Sequence, residues 1–217
     1  MSISKNLSNL NSSLENSVKL VAVSKTKSNQ QIMEAYNHGQ RVFGENKAQE
    51  LSAKHEVLPK DIEWHMIGHL QRNKVKYIAG FVRLIHSVDN IKLLKEINHQ
   101  ALKHNLIINC LLQVKIASEE TKFGMSKNEA KNMLDSHEFK GLKNVSIVGL
   151  MGMASFTNDQ EILKKEFSFL NNFFKELSNS YSSMKILSMG MSDDYKLAIE
   201  NGSNMIRLGS SIFGSRN

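Results

Sequence analysis

Residues 19–44 read KLVAVSKTKSNQQIMEAYNHGQRVFG. The first seven, KLVAVSK, form a short β-rich apolar run. Residues 30–38 carry helical spacing, and Gly39 is a C-cap signal that ends them. Residues 41–44 start a second apolar run. Two strands joined by a helix run parallel, with a right-handed crossover. The same pattern repeats along the chain. Further strands are expected at 63–67, 83–88, 108–116, 145–150, 185–189 and 205–208. Helices are expected at 47–57, 73–79, 91–104, 127–137, 160–178 and 194–201. Most of the strands are continuous apolar runs, as expected when both faces of a sheet are covered. Eight such units predict an α/β protein, a (β/α)8 TIM-type barrel, for which ~200 residues is the lower end of the size range. The alternative is a doubly wound open sheet. It usually has fewer strands, and no GxGxxG follows the first strand.

Before the first strand, Ile3, Leu7, Leu10 and Leu14 are spaced as one stripe of a helix over about 3–16. Packing that stripe onto the barrel is the simplest use for it. No linker or low-complexity stretch divides the 217 residues, so one domain over 1–217 is expected. A chain of this size buries roughly 70% of its unfolded surface and needs no disulfide to hold a core. The lone cysteine, Cys110, excludes an internal disulfide and a Cys-based zinc site. No apolar run approaches the ~18–20 residues of a membrane span. No signal peptide is evident, and a cytoplasmic, monomeric protein is expected.

The chain has 28 basic and 21 acidic residues, a net charge of +7. This balance favours acidic partners. A basic nucleic-acid-binding module rests on that charge alone, and the competing reading is a solvated lysine surface.

In a barrel the site lies at the carboxyl ends of the strands. The first strand leads into Ser24-Lys25-Thr26-Lys27. A lysine there can point into the barrel mouth, where burial and the neighbouring Lys27 disfavour its charged form. The free amine is what Schiff-base chemistry requires. The alternative is a solvated lysine at a loop start. The last two strand ends give SMGMSDD (188–194) and RLGSSIFG (207–214). Barrels often bind phosphate with the loops after strands seven and eight. Gly190 and Gly209 let backbone N–H groups approach an anion. Ser192 and Ser210 can add hydroxyls, although Ser192 also reads as an ordinary N-cap. Arg207 lies two residues before Gly209 and shares its face. A ring nitrogen of a bound cofactor is one acceptor for it, and an ion pair with Glu45 is the alternative. Asn46 with Gln49 reads as a capping box. His65 and His69 do not make a metal pair in a strand-to-loop setting, and no zinc site is expected. Residues 72–76 read as a solvated basic helix start.

Taken together, KLVAVSKTK (19–27), FGENKAQE (43–50), WHMIGHLQRNK (64–74), LSMGMSD (187–193) and RLGSSIFG (207–214) resemble the pyridoxal 5′-phosphate homeostasis protein family. This family is the single-domain relative of the alanine racemase N-terminal barrel. The motifs are collinear over nearly the whole chain after the first helix. The resemblance implies pyridoxal 5′-phosphate (PLP) held as a Schiff base on Lys25. It implies phosphate contacts from Ser192, Gly209 and Ser210, Arg207 at the pyridine nitrogen, and Asn46 near the ring. It further implies a carrier that buffers PLP, with PLP-dependent apoenzymes as recipients. Ser28 stands where proline is common in the family and Ser210 where threonine is common; the second change keeps a hydroxyl.

The alternative reading within this resemblance is a PLP-dependent amino-acid racemase. A cation on the ring nitrogen weakens the electron sink that such chemistry uses. A racemase also needs a second base, which the related racemases take from a β-rich second domain. This chain ends at Asn217, just after the eighth predicted strand, so a carrier without turnover is expected.

Overall fold

Runs rich in Val, Ile and Leu suit strands buried on both faces, and all eight predicted strands form. They are β1 (Lys19–Val23), β2 (Val42–Glu45), β3 (Glu63–Met66), β4 (Leu84–Val88), β5 (Ile108–Gln113), β6 (Val145–Met151), β7 (Ile186–Ser188) and β8 (Met205–Leu208). The computed structural model describes residues 2–117 and 123–214. In it each strand pairs parallel with the next, and β8 returns to β1 from Lys19↔Met205 to Ala22↔Leu208. The sheet is a closed barrel, so the TIM-type expectation holds.

The helices are α1 (Ile3–Ser13), α2 (Asn29–Asn37), α3 (Ala48–Val57), α4 (Ile91–Lys103), α5 (Lys127–Asp135), α6 (His137–Lys140), α7 (Gln160–Ser180), α8 (Tyr195–Glu200) and α9 (Ser210–Phe213). Their starts follow local chemistry. Ser28 with Gln31 and Ser126 with Glu129 close capping boxes, while Asn90 and Asp159 cap with their own side chains.

Several boundaries differ from expectation. The first helix ends at Ser13 rather than near residue 16, because Val18 N–H donates to Glu15 O (3.0 Å) in a turn that feeds β1. Its Ile3, Leu7 and Leu10 are buried. That burial is worth about 1.5–3 kcal/mol per side chain. The predicted helix over 127–137 divides at Ser136, whose extended backbone ends α5 and whose hydroxyl caps α6. The predicted helix over 73–79 is a 3-10 helix, Arg72–Tyr77, with Val75 buried. The Asn46–Gln49 capping box does not form: Lys47 is the N-cap of α3 and makes no side-chain cap bond.

Two apolar layers result. The larger packs the outer strand faces against the helices around Trp64, Phe43, Phe167 and Phe173. The smaller, Val21, Val42, Leu84, Leu111, Met151 and Met205, takes side chains from six strands and fills the barrel interior. Strand alternation then sorts the remaining positions. Val21 and Val23 face inward on β1, Gly44 on β2, His65 on β3, Ser188 on β7 and Arg207 on β8. A Cβ built on Gly44 would meet Val21 at 3.0 Å and Ile67 at 2.9 Å, which confirms its inward aim. Below them Lys19 and Glu63 pair at 2.9 Å.

Candidate functional site

The closed order of strands brings the ends of β7, β8, β1 and β2 into one arc of the barrel mouth. Lys25 follows β1 at the inward parity of Val21 and Val23, and it is half-buried. It sits in a turn closed by Lys27 N–H donating to Ser24 O at 3.0 Å. Thr26 occupies that turn at φ +64. This is the left-handed region, which a β-branched residue rarely adopts.

Across the arc, the loops after β7 and β8 are stitched together. Ser192 Oγ accepts from Gly209 N (3.3 Å) and from Ser211 N (3.4 Å). The N-cap reading of Ser192 is therefore corrected: Asp194 precedes α8, and Ser192 serves the next loop instead. Both bonds are long, so the two amides are only weakly engaged and remain available to a stronger acceptor. Ser210 stands exposed at the first position of α9. Gly190 makes the tight turn, with φ +99, and a Cβ there would lie 2.8 Å from Ala198 Cβ. Asp194 Oδ1 accepts from Met191 N at 2.6 Å and holds the same turn. Burial raises the Asp194 carboxyl above its ordinary range, against the pull of Arg207.

Arg207 lies inside the barrel beneath this arc and is buried. Its Nη1 donates to Ser188 Oγ (2.7 Å) and its Nη2 to Gly152 O (3.1 Å). A guanidinium has five N–H donors, so these bonds leave others for a ligand. Burial lowers its pKa to about 10, with Asp194 opposing, and it stays a cation at neutral pH. The Glu45 pairing is overturned. Glu45 takes the outward parity of β2, where Oε1 accepts from Ser24 Oγ (2.6 Å) and Lys54 Nζ (2.8 Å). Asn46, one residue on, returns to the inward parity and is half-buried. The loop after β3 packs on its backbone so closely that a Cβ on Gly68 would lie 2.4 Å from Asn46 O.

Sequence reasoning missed the polar chain behind Arg207. His86 Nδ1 lies 3.2 Å from Ser188 Oγ, and His86 Nε2 lies 3.1 Å from His65 Nδ1. Burial, with Lys19 and Arg83 adding, pulls His65 down to about 3. Burial, His65 and Arg207 hold His86 well below the ordinary histidine range. Both rings are therefore neutral. The signal was available, since His65, Ser188 and Arg207 all take inward parity on their strands. His69 points elsewhere: it approaches Asp89 at 3.5 Å and stacks on Phe123. Among the described residues no group of three or more His, Cys, Asp or Glu is placed to hold a metal.

The arrangement offers an amine in the turn after β1, backbone and hydroxyl donors after β7 and β8, and a buried cation beneath the arc. These groups suit a planar ligand with a phosphate at one end, a ring acceptor over Arg207 and a carbonyl within reach of an amine.

The family model described as "Alanine racemase, N-terminal domain" matches residues 1–217. The pyridoxal phosphate homeostasis protein of Aquifex aeolicus (strain VF5) is 42% identical over 205 residues, covering 93% of this chain and 89% of that protein. The structure of PipY from Synechococcus elongatus PCC7942 with PLP bound superposes with a TM-score of 0.89 at 34% identity, covering 98% of this chain and 100% of that one. PipY without PLP gives a TM-score of 0.91 at 36% identity, with the same coverage. Alanine racemase from Clostridium difficile 630 gives a TM-score of 0.81 at 14% identity, over 99% of this chain and 56% of that one, and shares the fold alone. The protein thus belongs to the pyridoxal phosphate homeostasis protein family, on the fold of the alanine racemase N-terminal domain.

Proposed function

We propose that the protein binds pyridoxal 5′-phosphate at the barrel mouth, in one domain, and acts as an intracellular carrier and buffer of that cofactor. The observation that carries this reading is the arc itself. Lys25 follows β1 at the inward parity of Val21 and Val23, the stitched Ser192, Gly209 and Ser211 loops follow β7 and β8, and the Arg207 guanidinium is buried inside the barrel. The PLP-bound structure of PipY supports it.

In this reading Lys25 would hold the cofactor through its amine, which condenses with the aldehyde to a Schiff base with release of one water. Ser192, Gly209 and Ser210 hold the phosphate through hydroxyl and backbone donors. Arg207 donates to the ring nitrogen, and Asn46 lies beside the ring. When bound, PLP supplies a conjugated ring that withdraws electrons, most strongly when its nitrogen is protonated. Arg207 is a poor proton source and disfavours that protonation. The neutral His65–His86 pair offers no carboxylate to reverse the effect. The carrier reading is favoured over racemase activity on this ground, and the relatives are named for homeostasis. PLP-dependent apoenzymes are the proposed recipients, and a cytoplasmic monomer the proposed form. Among the described residues no helix is long and apolar enough to cross a membrane.

Equilibrium dialysis against PLP tests this reading. Stoichiometric, saturable uptake is expected, and a protein that retains none overturns it. The Arg207→Ala variant is expected to fold, to retain PLP about tenfold less tightly, and to shift the absorption band. An unchanged band and affinity contradict the ring-nitrogen contact.

A further inference from the structure

On the outer side of β1 and β2 lies a buried polar cluster that the cofactor site does not use. Its centre is Lys54 on α3, whose side chain is 8% exposed. Lys54 Nζ donates to Glu45 Oε1 (2.8 Å), Glu50 Oε1 (2.7 Å) and Ser24 O (2.8 Å). Glu50 Oε1 accepts in turn from Thr26 N at 2.6 Å. Ser24 Oγ donates to Glu45 Oε1 at 2.6 Å.

These bonds enclose the turn that carries Lys25. Ser24 is gripped at both its carbonyl and its hydroxyl, and Thr26 at its amide. The turn needs such a grip, because Thr26 holds φ +64. Turns with a positive φ at the third residue are usually built with glycine. A strained residue persists only where its surroundings over-determine it, and such residues cluster at functional sites. A buried ammonium with three acceptors is also an unusual way to build a core, since an apolar side chain would avoid the desolvation. Burial pushes Glu50 up, but the bonds from Lys54 and Thr26 outweigh it and keep the carboxyl below its ordinary range. Glu50 is therefore ionised where it holds the amide.

We propose that Lys54 is a positioning residue for Lys25. Through Ser24, Glu45 and Glu50 it locks the left-handed Thr26 turn, and the lock aims the Lys25 amine into the barrel mouth. The role assigned to that amine rests on the carrier reading above, but the locked geometry does not.

The test uses the full-length chain without cofactor. Lys25 is labelled with a small amine-reactive reagent, and its rate is read by peptide mass spectrometry relative to Lys27 in the same molecule. Amide hydrogen exchange at Thr26 is followed in parallel. In folded Lys54→Met, exchange at Thr26 is expected to accelerate at least about tenfold, the fold-change that losing a charge-assisted hydrogen bond gives. The Lys25 to Lys27 labelling ratio is expected to change severalfold with it. Glu50→Gln keeps the shape and an acceptor but removes the charge, and both readouts are expected to move the same way by less. This variant carries the test where Lys54→Met does not fold. Wild-type exchange and labelling ratio in a folded variant of either kind overturn the proposal. A merely structural lysine lowers the melting temperature without changing the ratio. Failure of the wild type to take up PLP counts against the carrier reading and leaves the labelling result to judge the lock.

Discussion

The Lys25→Ala protein is expected to lose PLP on gel filtration and to show no visible band from lysine-bound cofactor. The proposed phosphate donors Gly209, Ser192 and Ser210 and the Arg207 cation are untouched by this change, so some affinity is expected to remain. Losing the covalent link is expected to weaken retention on the order of a hundredfold, about 3 kcal/mol. The fold is expected to survive, because Lys25 follows β1 and is only half-buried. Wild-type retention of PLP by Lys25→Ala contradicts the assignment of the amine. A chain that no longer folds is detected by circular dichroism and leaves Lys25→Arg as the variant to read, since arginine keeps the charge and forms no Schiff base.

The second large effect is on stability in mild acid. His65 is pulled down to about 3 and His86 lies well below the ordinary value, both first through burial. Each has a lower pKa in the folded than in the unfolded chain. As pH falls through about 6.5 the unfolded state takes up protons that the folded state refuses. The contribution is fully present above that pH and is lost progressively toward the folded values. Two such groups remove about 3 kcal/mol between pH 6.5 and 5, a large part of the 5–15 kcal/mol typical of a domain. Glu45 and Asp194, raised by burial, work in the opposite direction. The comparison is therefore made against a His65→Asn, His86→Asn double variant. Urea melts at stepped pH are expected to show the wild type losing stability more steeply over that window. Parallel pH profiles contradict the buried neutral pair.

Much of this could be read from the chain, and the reason is strand periodicity. Val21, Val23 and Lys25 take one parity, as do Arg207 and Gly209, and that alternation alone predicts that the amine and the cation share one space. The same rule extends to β2. Gly44 and Asn46 share the inward parity, so Glu45 had to face outward and could not meet Arg207. The Ser188–His86–His65 chain joins residues 102 and 21 positions apart. Inward parity marks each of these residues, but which of them pair is decided only when the barrel closes. Lys54 and Glu50 were legible as an i,i+4 pair. Their grip on Ser24 and Thr26 was not, since it depends on how α3 docks against the turn after β1. Ser192 misled for a related reason: an N-cap residue and a residue that bridges two loops have the same local sequence, and the neighbouring strand decides between them.

Lys25 is the amine proposed to take up pyridoxal 5′-phosphate. Borohydride reduction of the PLP-loaded protein fixes the cofactor on whichever lysine holds it, and peptide mapping then identifies that residue. The expected result is one modified peptide, with the label on Lys25 in the segment following β1. A label on Lys27 or Lys54, or no label after saturation with PLP, contradicts the assignment of Lys25.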